Sequence, residues 1–147
     1  METVFSLSSF LVMPFWALMV FLPTWSWTQR IITSPWVAAP SAALYVLLVL
    51  PSVLEVLPAV LNPNLSAIAV LLGTPAGATL AWVHFLAFDL FVGRWVYLDA
   101  RERGLSPWLT SPVLFLVLML GPLGFLLYLT LRVSLRSQPA SARVAPE

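Results

Sequence analysis

Three ionisable side chains, His84, Asp89 and Arg94, fall within one apolar stretch, and a fourth, Glu55, falls within another. An acid, an imidazole and a guanidinium are equipment for handling protons. The carboxyl gives one, the imidazole relays one, and the guanidinium steadies the charge left behind. Held among acyl chains, each such group costs at least about 2–3 kcal/mol, so each asks for a partner or a function. A carboxyl in apolar surroundings favours its protonated form, which suits a proton donor near neutral pH. On a helix advancing about 100° per residue, Asp89 stands about 140° from His84, and Arg94 about 140° beyond Asp89. The three therefore point to three sides. No single face can hide them, and the helix that bears them must be enclosed by other helices or by copies of itself.

Asp89 and His84 are the catalytic candidates, as proton donor and proton shuttle. Trp82, Phe85, Gly93 and Val96 share the Asp89 stripe at steps of three or four residues. Gly93, one turn on, leaves room for a ligand or a neighbouring helix. Trp82, Phe85, Gly93, Arg94 and Glu55 are accordingly the candidate substrate contacts. The structural alternatives stay open beside these roles. Asp89 could pair with an arginine of another helix, or share a proton with Glu55 or Tyr128. A lone histidine in an apolar helix often donates to a carbonyl. Arg94 could snorkel to the interface or pair with Asp99 or Glu102, and Arg101 and Arg103 suit headgroup phosphates.

The elements that carry these residues are apolar runs of membrane-crossing length, about 20 residues each. The first runs over 4–22, with Pro14 in its middle freeing the Phe10 carbonyl. No basic residue precedes it and no small-residue cleavage pattern follows, so neither a cleaved signal nor a transit peptide is expected. A loop with Trp25, Trp27 and Trp36 matches an interfacial belt. The second run covers 40–60, broken by Pro51 four residues before Glu55. Broken helices expose backbone polar groups where a cavity can use them. Residues 65–72 are apolar but too short to cross, and read as an interfacial or re-entrant piece. Thr74-Pro75 then supplies a cap and a first-turn proline. The third run covers 76–98 and ends in a charged loop from Asp99 to Arg103. The fourth covers 112–131 with Gly121-Pro122-Leu123-Gly124 at its centre, a close-packing and kinking feature. The expected fold is an all-α integral membrane bundle of about four transmembrane helices, one domain over 1–131, with a polar, disordered tail over 132–147. Four crossings put both termini on one side, with Arg132, Arg136 and Arg143 opposing Arg30, Arg101 and Arg103. Three against three leaves the orientation undecided.

Composition agrees. Of 147 residues, 61% are hydrophobic and 9% charged, with a mean hydropathy of +0.96; a soluble surface needs about 25% charged residues. Membrane lipid is the first expected partner. All seven basic residues are Arg and the net charge is +1, which gives no footprint for nucleic acid. With no Cys and one His, a metal centre rich in thiolate or imidazole cannot be built from this chain alone. No GxGxxG or GxxxxGK[ST] run appears. Cofactor-free, redox-neutral acid–base chemistry is the easiest kind for such a chain.

The residues from Gly73 to Ala78, and from Ala81 through His84, Asp89, Gly93 and Arg94 to Asp99, resemble the abscisic-acid-deficient membrane protein family. The resemblance continues through Arg101-Glu102-Arg103 to Gly121-Pro122-Leu123-Gly124-Phe125 and, more loosely, over most of the spans. It implies a four-helix membrane protein of carotenoid metabolism. Plant members are associated with neoxanthin synthesis, in which the epoxide violaxanthin becomes an allene without net redox change. The resemblance makes Asp89 and His84 the acid–base pair, and Asp99, Arg101, Gly121 and Pro122 part of the framework. The expected function is an isomerase acting on a bilayer-dissolved carotenoid, neoxanthin synthase-like. The alternative is a non-catalytic carotenoid-binding or accessory subunit of a membrane complex, such as a photosynthetic one, or a homo-oligomer. The lack of a transit peptide favours a bacterial inner or photosynthetic membrane. A proton-coupled transporter is less well supported, since no inverted repeat is visible.

Overall fold

A computed structural model describes residues 1–136. The chain is helical throughout that range. Four segments are long and apolar enough to cross a membrane: Glu2–Phe21, Pro35–Leu61, Pro75–Glu102 and Pro107–Ser134.

Helix α1 (Glu2–Phe21) contains Pro14 and buries Ser8, Val12, Trp16 and Met19, a stripe at steps of three and four. A short α2 (Ser26–Thr33) turns Thr28 and Ile32 inward. The second apolar segment is not one rod. Pro35 opens a 3₁₀ turn at 35–38, α3 (Ala39–Val49) follows, Pro51 forces a second 3₁₀ turn at 50–52, and α4 (Val53–Leu61) completes it. Proline lacks the N–H that the α ladder needs at these points. Helix α5 (Leu65–Leu72) is the short piece; Asn64 caps it by accepting the Ala67 N–H at 2.9 Å.

The central element is α6 (Pro75–Glu102), where Thr74 accepts the Gly77 N–H at 3.0 Å and Pro75 occupies the first turn. It packs against α1, α2, α3, α5 and the last helix, α7 (Pro107–Arg136). A Cβ at Gly77 would lie 1.9 Å from the Leu71 carbonyl oxygen, so α5 meets α6 backbone to backbone. Gly104, at φ 67°, closes α6, with the Leu105 N–H bonding the Ala100 carbonyl at 2.9 Å.

The last helix departs from the expected fourth crossing over 112–131. Leu120 is non-helical (φ −138°, ψ 45°), and a Cβ at Gly124 would lie 2.3 Å from the backbone nitrogen of Val117. In a continuous helix those positions stand about 10 Å apart along the axis. The chain therefore doubles back at Leu120, and its returning half runs alongside α6 in the same direction. Gly121 meets Asp89, Phe125 and Tyr128 meet Trp95, and Tyr128 and Arg132 meet Asp99. Among the described residues this sets Met1 and Arg132 at opposite ends of the bundle, where a fourth crossing over 112–131 would have put them at the same end. A Gly-Pro pair at membrane depth reads as a kink; here it is the tip of a hairpin. Gly124 is buried against the Leu116–Val117 backbone and Gly121 lies against Asp89, while Leu120, Pro122 and Leu123 at the tip are exposed. The expected polar tail from residue 132 instead begins as helix to Arg136; residues 137–147 lie outside the described residues.

Candidate functional site

The three ionisable residues of α6 find three different neighbours, as their spacing requires. Half-buried His84 faces α3. Its ring stacks on Phe88 with centroids 4.7 Å apart and meets Tyr45 edge-on at 5.3 Å. Half-buried Arg94 faces α2. Its Nε donates to the Ile32 and Ser34 carbonyls at 2.8 and 3.2 Å, and its Nη2 to that of Thr33. These are the carbonyls a helix end leaves unpaired, so the guanidinium caps α2 rather than pairing with Asp99 or Glu102. Asp89 faces α7. A Cβ at Gly121 would stand 2.5 Å from its Oδ1, so the carboxyl in this position rests against a residue without a side chain.

Asp89 is half-buried and, among the described residues, has neither a hydrogen-bond donor nor a cation at bonding distance. It rests where the returning half of α7 begins, with Pro122 as a first-turn residue. A helix start carries partial positive charge and suits an adjacent carboxyl. Tyr128, a possible proton-sharing partner for Asp89, is engaged elsewhere: its hydroxyl donates to Asp99. Asp99 also takes Arg103 Nε at 2.7 Å and Arg132 Nη2 at 3.2 Å, while Arg132 lies over the Trp95 ring at 5.4 Å. Asp99, Tyr128 and Arg132 thus lock the base of the hairpin to α6.

The room expected beside Gly93 is filled. A Cβ there would lie 2.3 Å from the Trp16 ring, and that indole is fully buried. Trp82 and Phe85, on the Asp89 stripe, are exposed at 38% and 57%; Trp82 stacks on Phe5 at 5.3 Å and donates to Ser9 at 3.3 Å. Arg101 lies over Tyr97, whose hydroxyl donates to the Pro23 carbonyl at 2.7 Å.

Glu55 is exposed and lines a largely apolar groove of about 870 Å³ between α3, α4, α5 and α6, with Ser52, Asn64, Ser66 and Thr74 as its other polar side chains. That volume lies in the range of ligand sites. Leu48 of α3 and Leu80 of α6 belong to its wall. One turn further in on those helices stand Tyr45 and His84, in ring contact. Glu55 thus lines the groove, His84 stands one turn beyond its wall, and Asp89 occupies another flank of α6. The structure does not bring Asp89 and His84 together. Sequence reasoning missed Tyr45, Trp16 and the fourfold group of Asp99, Arg103, Tyr128 and Arg132. The signal available for the last was two arginines and a tyrosine at the ends of apolar runs.

Residues 3–128 match the family model described as ABA DEFICIENT 4-like. Protein ABA DEFICIENT 4, chloroplastic, of Arabidopsis thaliana is 28% identical over 143 residues, covering 93% of this chain and 64% of that relative. The chain thus spans just under two thirds of the relative's length. No solved structure matches. Because the family match covers most of the bundle, including α6 and the hairpin tip, the chain belongs to the ABA DEFICIENT 4-like family.

Proposed function

We propose that this chain is a redox-neutral isomerase of carotenoid metabolism, acting on a bilayer-dissolved polyene in a bacterial inner or photosynthetic membrane. The observation that supports it is the Asp89 carboxyl, held at the hairpin tip against Gly121 with no partner from the described protein. On an epoxide-bearing polyene, Asp89 donates its proton to the epoxide oxygen as the C–O bond breaks. The resulting carboxylate then removes a proton from the adjacent polyene carbon, and that C–H electron pair becomes the second double bond of an allene. The proton is returned, no electron is gained or lost, and one carboxyl serves as acid and then base. His84 stands on another flank, one turn beyond the groove wall at Leu80. Its stacked ring and the apolar wall suit the conjugated chain of the substrate, with Glu55 at the polar end.

The open groove also supports a second reading, in which the chain binds a carotenoid without converting it, alone or within a larger membrane complex. Expression in carotenoid-producing cells separates the two. A new pigment seen by chromatography, lost in Asp89→Asn while the protein still accumulates, supports the isomerase. Conversion unchanged in Asp89→Asn removes Asp89 from the chemistry. Unaltered pigment that copurifies with the protein supports binding alone.

A further inference from the structure

The doubled-back α7 changes the charge balance across the membrane. If residues 112–131 crossed, Arg132 would lie with the N-terminus. Instead Arg132 reaches Asp99 at the C-terminal end of α6. Arg94 caps α2 near that end, Arg101 stacks on Tyr97, and Arg103 binds Asp99. Arg30 belongs to α2, which Arg94 ties there, and lies over the Trp27 ring at 5.9 Å. Every arginine whose side chain is described therefore lies at one end of the bundle. The other end, marked by Met1, Asn64 and Thr74 around the groove mouth, carries none among the described residues.

A second feature follows the same partition. Trp25, Trp27, Trp36 and Trp108 are all exposed at the arginine end, at 47, 55, 77 and 91%. Indoles so placed sit at headgroup level and fix the depth of the bundle. At that level the ion-pair group is unbalanced, with Arg103 and Arg132 answering the single Asp99 carboxylate. Arg101 and Arg30 add two further exposed positive charges against the single exposed carboxylate of Glu102. The surplus positive charge fits anionic headgroup phosphates.

We propose that the C-terminal end of α6 is the face from which the chain inserts, the cytoplasmic face in a bacterial membrane. The arginine collar holds it there against the anionic leaflet, and the N-terminus and the groove mouth face the opposite side. Arginine in short loops next to spans sets orientation, whereas acidic residues contribute little. The groove containing Glu55 then opens on the far side of the membrane from the Asp99 group.

The absence of cysteine makes the test clean. Single variants Asn62→Cys, Ser106→Cys and Ser134→Cys of the full chain, expressed in a bacterial inner membrane, are treated with a membrane-impermeant maleimide. Labelling in detergent confirms that each thiol is present and reactive. The expected result is that Asn62→Cys labels in spheroplasts, while Ser106→Cys and Ser134→Cys label only after permeabilisation. Ser134→Cys labelling together with Asn62→Cys would overturn the returning hairpin. The reverse pattern, or equal labelling of all three from outside, would overturn the orientation. A second arm tests the cause. Replacing Arg30 and Arg101 with Gln and Asn62 with Lys is expected to shift part of the population to the opposite labelling pattern. An unchanged pattern would overturn the arginines as the determinant.

Discussion

Asp99 and Asp89 share one helix and one neighbour, and nothing else. Both face the returning half of α7. Asp99 is surrounded by two guanidiniums and a phenol, with donors on both of its oxygens. Asp89 meets the bare backbone of Gly121 and has no donor from the described protein. A carboxylate held by cations and a hydroxyl on both oxygens is a fastening, because losing a cation leaves charge uncompensated. A carboxyl that the protein leaves unpartnered inside the membrane is free to act on something else. The same contrast separates the two hairpin glycines. Gly121 adjoins a flexible carboxyl that can move aside, and Gly124 adjoins rigid backbone.

The sharpest break of this comparison exchanges the roles of the two carboxyls. Asp89→Asn should lower pigment conversion by about 10²–10⁴-fold, the range of a lost general acid. Its unfolding midpoint in detergent should stay near that of the parent. A large stability loss without a change in conversion would make Asp89 the fastening. Next in size is Gly124→Ala, whose methyl would stand 2.3 Å from the Val117 nitrogen. It should destabilise the bundle by about 3 kcal/mol, the upper end for overpacking, measured by chemical unfolding in micelles. Gly121→Ala sharpens the contrast. It should reduce conversion by roughly tenfold through displacement of the Asp89 carboxyl, yet cost no more than about 1 kcal/mol of stability. Equal stability losses for both glycines would mean that the hairpin tip is as rigid as its stem. Smallest is Tyr128→Phe, which removes one donor from Asp99 and should cost about 1 kcal/mol. Conversion should be nearly unchanged.

Much of this arrangement was legible in the chain. The angular separation of His84, Asp89 and Arg94 already required an enclosed helix, and α6 is packed against α1, α2, α3, α5 and α7. Pro51 was read as a break and is one. The partners were not legible. Arg94 was expected to seek Asp99 or Glu102 nearby in sequence, but it binds carbonyls more than 60 positions away, at Ile32 and Thr33. Gly93 read as open space because a glycine looks the same whether a ligand or an indole fills it; Trp16 fills it.

By itself, the sequence determined the class and the local parts: apolar runs long enough to cross, proline breaks, capped starts, and charges placed around α6. These follow from residue type and helical period, which act over a few residues. Only the tertiary structure decided that α7 turns back at Leu120, that Asp99 is satisfied while Asp89 is not, and that the described arginines gather at one end. Gly-Pro permits a bend of any angle. The angle chosen here is set by Gly124 closing on the Leu116–Val117 backbone and by Asp99 gripping Tyr128 and Arg132, contacts between positions that local pattern does not link.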